Sequence, residues 1–350
     1  RDHAGLDDND LAVLEGQDQI LSIDQAEKLI ENVIGVFSLP LGVATNFIID
    51  GRHVVIPMAV EETSIIAAAS ASAKWVARNG GFTTRALGNL IIGQVQFPDI
   101  SDVEVFTKNI QDNRSMLIEK ANELIPSLVS RGGGIKDIQT RIVDRPDQKS
   151  MAVVHLLCNP CNAMGANIIN QLCEALKGPL EKLTSEKVGL CILSNLVDTK
   201  LFEATCTIHD ISPELGKAIE EATLFANCDP YRGATHNKGV MNGIDPILIA
   251  TGNDWRAVEA GIHSYVALGG KYRSITSWAY KDGALHGRFC APIAVGTVGG
   301  MTKIHPTARV ALKLLGTPNA EDLARVCAAA GLAQNLGALR ALCSEGIVKG

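Results

Sequence analysis

Between Asp229 and Gly243 the chain reads Asp-Pro-Tyr-Arg-Gly-Ala-Thr-His-Asn-Lys-Gly-Val-Met-Asn-Gly, eight side chains able to hydrogen-bond within an otherwise apolar sequence. Its glycines let a ligand approach the backbone, and a plain surface loop would be more charged and poorer in Gly and Asn, so the segment reads as a functional loop. Gly252-Asn253-Asp254-Trp255 is a second candidate, at a strand end before a helix, where ligands of α/β proteins gather. Taken alone, Asp254 reads as a helix cap. A third is Glu61-Glu62, adjacent carboxylates after an apolar strand, which equally suit the start of a surface helix. Cys158-x-x-Cys161 is the one close cysteine pair. Without a second pair at zinc spacing it reads as packing, and no metal is expected.

The chain has no G-x-G-x-x-G after a strand, no Walker A lysine motif, no H-E-x-x-H and no G-x-S-x-G. An ordinary Rossmann site, a P-loop, a zincin and a serine hydrolase are therefore disfavoured. A net charge of −6 argues against nucleic acid or an anionic membrane as partner, because phosphate binding needs a basic footprint. Apolar runs are broken by Lys74, Arg325 and Arg340 before they could span a bilayer, and no signal peptide is seen. Nine cysteines without framework spacing read as reduced thiols, hence a cytoplasmic protein.

These residues need a scaffold, and 350 residues suggest two domains. With 46% hydrophobic and 4% aromatic residues and 33 glycines, the composition fits an α/β or α+β enzyme of closely packed helices and strands. Residues 5–35 read as two or three short amphipathic helices. Phe47 to Asp50 and Val54 to Met58 form a hairpin around Asp50-Gly51. Helices are expected over 61–78, 103–125 (stopped by Pro126), 168–176 and 212–226, with two more over 320–346. Strands are expected over 90–95, 135–143, 152–157, 204–208 and 247–251. The stretch from 88 to 198 alternates strand and helix as a unit of its own, which divides the chain into 1–87, 88–198 and 199–350.

Glu31-Asn32-Val33-Ile34-Gly35, Pro57 to Glu62, Asn162-Ala163-Met164-Gly165-Ala166-Asn167, Thr235-His236-Asn237-Lys238-Gly239 and Thr251 to Gly261 resemble, in order along the whole chain, class II (bacterial-type) 3-hydroxy-3-methylglutaryl-coenzyme A reductase. The resemblance implies an α+β fold, with a large substrate domain and an inserted, smaller, ferredoxin-like cofactor domain at 88–198. It implies reduction of HMG-CoA by two nicotinamide molecules, NADH or NADPH, to mevalonate and CoA, or the reverse, at a homodimer interface. It makes Lys238 the oxyanion stabiliser, Glu62 the proton donor to the aldehyde oxygen and Asp254 a second carboxylate. Ser64, Arg232 and Asn242 hold the HMG group. Asn162, Met164, Gly165 and Asn167 belong to the turn that receives the cofactor pyrophosphate, and Asn195 lies near the nicotinamide and substrate. Beyond Gly350 the resemblance places a C-terminal flap, absent from this chain, whose histidine protonates the CoA thiolate.

The sequence departs from the pattern at Asn162, where the family usually has aspartate, and at Ile125, matched to an acid that holds the ribose 2′-hydroxyl in an NAD-using relative. The family slightly favours NAD, but these residues do not. Arg131 and Lys136 suit a 2′-phosphate or are simply solvated charges. Two rival readings are another CoA-thioester enzyme on the same scaffold and a non-catalytic homologue that binds HMG-CoA or a nucleotide. Retention of Glu62, Lys238 and Asp254 together weighs against the second.

Overall fold

The structure, a computed structural model, describes residues 5–16 and 21–344. It divides into two compact units, residues 1–87 with 201–350, and residues 88–200. The larger begins with α1 (Asp8–Leu14), α2 (Ile23–Ala26), β1 (Leu41–Ile49), β2 (Arg52–Ala59), α3 (Ile65–Arg78) and β3 (Thr83–Ala86). The smaller holds β4 (Ile91–Phe97), α4 (Val103–Asp112), α5 (Arg114–Asn122), α6 (Pro126–Val129), β5 (Gly134–Asp144), β6 (Ser150–Asn159), α7 (Ala166–Thr184) and β7 (Cys191–Ser194). The larger resumes with β8 (Leu201–Ile208), α8 (Pro213–Cys228), α9 (Pro230–Ala250), α10 (Trp255–Ala267), β9 (Thr276–Lys281), β10 (Ala284–Pro292), α11 (Gly300–Ile304), α12 (Pro306–Leu314) and α13 (Ala320–Ser344).

In the larger unit β1 and β2 form the hairpin that Asp50-Gly51 predicts. Both residues are left-handed, φ 50° and 78°, as a two-residue type I′ turn requires. The Asp50 carboxylate also accepts from the Thr84 N–H (2.8 Å) and hydroxyl (2.5 Å), fastening β3 beside the turn. Strands β3, β8, β10 and β9 form an antiparallel sheet in that order. One face buries Phe202, Ala204, Leu285 and Phe289. On the other, Glu203 accepts from Arg85 (Nε, 2.8 Å) and Arg288 (Nε, 2.5 Å). Burial pushes its carboxyl up, but those two guanidiniums win and hold it below its usual range.

The region expected to hold two C-terminal helices is one helix, α13, through Ser344; residues 345 and 346 lie outside the described residues. Every residue from Val326 to Leu336 is buried. The helix is long and apolar enough to cross a bilayer, yet 67% of its most apolar stretch is buried inside the protein. A helix apolar all round has that position when it is the core of a domain.

The segment read as a polar loop, 229–243, is the first two-thirds of α9, and the strand expected at 247–251 is that helix's last turn. Asp229 caps it, its carboxylate accepting from Tyr231 and Arg232 N–H groups (3.4 and 3.2 Å), and Pro230 occupies the first turn. Gly and Asn disfavour helix locally, but burial overrides them. A Cβ on Gly243 would lie 2.6 Å from the Ala330 carbonyl, and one on Gly331 would lie 2.9 Å from Ile244, so glycines let α9 and α13 cross closely.

In the smaller unit the order β-α-β-β-α-β, with all strands antiparallel and ordered β5-β6-β4-β7, is the ferredoxin-like arrangement. Gly93 in β4 lets α7 sit close, since a Cβ there would meet Ile169 and Cys173. The helix expected over 103–125 is broken at Asn113, whose φ is −106° and whose Nδ2 donates to the Asn109 carbonyl (3.0 Å). The unit runs to Lys200, two residues past Asp198, because Thr199 bonds Leu90 through both its hydroxyl (2.7 Å) and its carbonyl (3.3 Å).

Candidate active site

In the larger unit, β2 ends at Ala59 and α3 starts only at Ile65, so Glu62 lies in the connecting turn instead of on the helix. Ser64 closes that turn in the left-handed region, φ 69°, and makes no side-chain cap bond to α3. A left-handed serine costs energy that a cap would normally offset, which points to a hydroxyl kept for another partner.

Lys238 projects from α9 and its Nζ donates to Glu62 Oε2 at 3.1 Å, joining residues 176 positions apart. Both side chains are more than half exposed (61% and 52%), so the pair adds at most about 1 kcal/mol to stability. Its meaning lies in placement: a cation and a carboxyl face the same point, one to stabilise an oxyanion and the other to move a proton.

The neighbours of Lys238 explain how it is aimed. His236 and Asn237 point inward and anchor the helix. His236 Nε2 hydrogen-bonds with the hydroxyls of Thr276 (2.7 Å) and Ser274 (2.8 Å) and with Asn335 Nδ2 (3.1 Å). Asn335 Oδ1 accepts from Thr276 and Trp278, each at 2.8 Å. Asn237 donates to the Arg273 carbonyl (2.7 Å) and accepts from the Ile275 N–H (2.9 Å). Desolvation, with the nearby Arg232 charge, pushes His236 down to about 4 and keeps it neutral. Sequence reading singled out the motif but missed these anchors. Their signal was the apolar sequence around two polar residues.

Asp254 combines both roles considered for it. Its Oδ1 accepts from the Ala257 N–H at 3.1 Å, capping α10, and lies 3.6 Å from Arg256 Nε. Among the described residues no ion pair joins it to Lys238. Asn253, beside it, is structural: it donates to Thr251 Oγ1 (2.9 Å) and accepts from the Gly296 N–H (2.8 Å). On α9, Asn242 follows Lys238 by four residues and shares its stripe, while Arg232 lies further round, in the first turn. A cleft of about 450 Å³ lined by Tyr265, Arg273, Ser274, Thr276 and Arg288 holds none of these site residues.

In the smaller unit the turn from β6 to α7 contains Asn162, Met164, Gly165 and Asn167. Asn159 Oδ1 accepts from the Cys161 N–H (2.9 Å), and Gly165 takes φ 96° where a Cβ would strike Ile91 and Pro160. Gly165 brings no side-chain cap to the 19-residue helix α7. That cradle fits a dinucleotide: backbone can approach the pyrophosphate closely, and first-turn N–H groups remain to bind it. Asn195 is exposed just after β7, in a turn held by the Leu196 N–H donating to Ser194 Oγ at 3.2 Å. Arg131 donates to Ser127 Oγ (3.1 Å), a local use for one of the two cations considered for a 2′-phosphate. Cys158 is buried, which pushes its thiol up to about 12, and the Cys161 thiol donates to the Arg131 carbonyl (3.6 Å).

The profile of the hydroxymethylglutaryl-coenzyme A reductase family matches residues 4–350. The chain is 47% identical to the 3-hydroxy-3-methylglutaryl-coenzyme A reductase of Archaeoglobus fulgidus, over 99% of this chain and 80% of that protein. Its fold is similar to the class II enzyme of Streptococcus pneumoniae bound to NADPH in open conformations, with TM-score 0.94, 38% identity, and coverage of 98% of this chain and 95% of that one. A second structure of the Streptococcus pneumoniae reductase gives TM-score 0.95 at 38% identity, covering 99% of this chain and 84% of that one. A whole-chain profile match, close sequence identity and the same two-unit architecture agree, and the chain belongs to the hydroxymethylglutaryl-coenzyme A reductase family.

Proposed function

We propose that the protein reduces HMG-CoA to mevalonate and free CoA, consuming two molecules of NADH or NADPH and two protons, or runs this reaction in reverse. The observation that carries the reading is the Lys238–Glu62 pair at 3.1 Å in a chain of this family. When bound, the nicotinamide supplies hydride, first to the thioester carbonyl and then to the aldehyde. Lys238 holds positive charge at the carbonyl oxygen as negative charge develops there, and Glu62 delivers the proton that makes the aldehyde oxygen a hydroxyl. Asp254 adds a second carboxylate. Ser64, Arg232 and Asn242 bind the HMG group, a role that suits the uncommitted Ser64 hydroxyl. The cradle of Asn162, Met164, Gly165 and Asn167 takes the pyrophosphate, with Asn195 toward the nicotinamide. His236 is walled in by its four partners and does not protonate the CoA thiolate; that acid belongs to the flap expected beyond Gly350.

The protein works as a homodimer in the cytoplasm. Ile34 and Phe37, 104% and 90% exposed, leave an apolar arm that suits a second copy, and all nine cysteines are free thiols. The small residues of α3 serve both inside and outside: Ala69 and Ala73 are buried within the unit, while Ala67 and Ala71 face outward. The deciding assay follows the near-ultraviolet absorbance of NADH or NADPH with HMG-CoA and the full-length protein. HMG-CoA-dependent oxidation is expected; its absence with both cofactors refutes the proposal.

A further inference from the structure

Asp245 and Glu259 have no part in the roles above, yet they join the two helices that carry Lys238 and Asp254. On α9, Lys238, Asn242 and Asp245 follow at spacings of four and three residues and so share one stripe. Glu259 stands on α10, five residues after Asp254. The two carboxyls are hydrogen-bonded to each other. Asp245 Oδ1 is buried without a partner, and no cation offsets the pair among the described residues. The other ionisable groups near it are the Cys327 thiol on α13 and, beyond Glu259, the Tyr272 hydroxyl. Helices α3, α8 and α12 and strand β2 also pack on α9 but bring no ionisable group against Asp245.

A hydrogen bond between two carboxyls requires a proton, because neither carboxylate can donate. Burial and the Glu259 charge together push Asp245 up to about 8, so the proton is retained at neutral pH. We propose that Asp245 and Glu259 share one proton and that their hydrogen bond braces α9 against α10, which makes Asp245 a positioning residue that fixes Lys238 relative to Asp254. This rests on the reading that those two residues carry the reductase chemistry. Loss of the shared proton turns a charge-assisted bond into repulsion across the same gap.

The test compares wild type with Asp245→Asn, which can donate to Glu259 without charge, and Asp245→Leu, which cannot. At pH 7 the Asn variant should keep kcat within about threefold, and the Leu variant should lose about tenfold in kcat with KM moved by less than about twofold. Wild-type kcat should fall as pH rises through about 8, and that limb should be missing in Asp245→Asn. Matching alkaline limbs, or a fully active Leu variant, overturn the brace. Melting temperature reads the proton itself without substrate. A carboxyl held above its unfolded value stabilises fully below about pH 4 and loses that contribution as pH rises to about 8. Wild type should therefore lose melting temperature relative to Asp245→Asn across that window, and a constant difference overturns the shared proton. Lys238→Met separates the two readings. If it is inactive while Asp245→Asn keeps the wild-type limb, only the brace fails; if it is active, the catalytic reading fails and the brace loses its object, even where the melting data show the proton.

Discussion

At the scale of single residues, Lys238 and Glu62 differ from the polar residues beside them in being exposed and paired across the fold, whereas His236 and Asn237 are buried and bonded. Replacing Lys238 with Met should lower kcat by about 10² to 10³, the usual cost of losing one oxyanion donor. Because the exposed pair contributes at most about 1 kcal/mol, the melting temperature should hardly move. A Lys238→Met enzyme with more than about a tenth of wild-type kcat would show that another group is the electrophile. Glu62→Gln should abolish reduction of mevaldehyde as well as of HMG-CoA while HMG-CoA still binds. Normal mevaldehyde turnover in that variant would leave Glu62 a turn carboxylate only. His236 predicts an effect of the opposite kind, on stability. Its pKa is pushed down to about 4 in the folded state, so its contribution is complete above its ordinary value and is lost as pH falls toward 4. The loss amounts to about 3 kcal/mol. His236→Gln, which cannot take up that proton, should show a flatter urea midpoint between pH 7 and pH 4 than wild type.

At the scale of elements, aiming Lys238 depends on the crossing of α9 and α13. A methyl at Gly243 would lie 2.6 Å from the Ala330 carbonyl and 2.8 Å from Gln334 Cβ, so Gly243→Ala should cost about 1–3 kcal/mol by overpacking. Gly239, on the same helix, has nothing within 4 Å of an added Cβ, so Gly239→Ala should instead stabilise by about 0.5–1 kcal/mol. Denaturant midpoints of the two variants check the pair, and shifts of the same sign would show that the crossing does not constrain α9. The same crossing explains the main sequence-level misreading. Residues 229–243 have the composition of a loop, and the contacts that make them helical come from Thr276, Ala330 and Asn335, far along the chain. Asp50-Gly51, by contrast, was legible because a type I′ turn is decided by the two residues that form it.

At the scale of the whole molecule, the exposed Ile34 and Phe37 lie in the arm that carries the Glu31 to Gly35 motif. Sedimentation at assay concentration should show a dimer or a multiple of it, and Ile34→Asp should shift it toward monomer with loss of activity. A fully active monomer refutes the dimer. The local signals in the chain determined the hairpin, the strand and helix order of the inserted unit and the family, because turn chemistry, hydrophobic period and long motifs act over neighbouring residues. They also identified Lys238 and Glu62, but only as separate candidates. Tertiary structure alone decided that these two meet at 3.1 Å, that His236 and Asn237 are anchors, and that Asp245 faces Glu259. Each of those facts depends on where helices cross and on which groups lose water, and both are set by contacts between segments far apart in the chain.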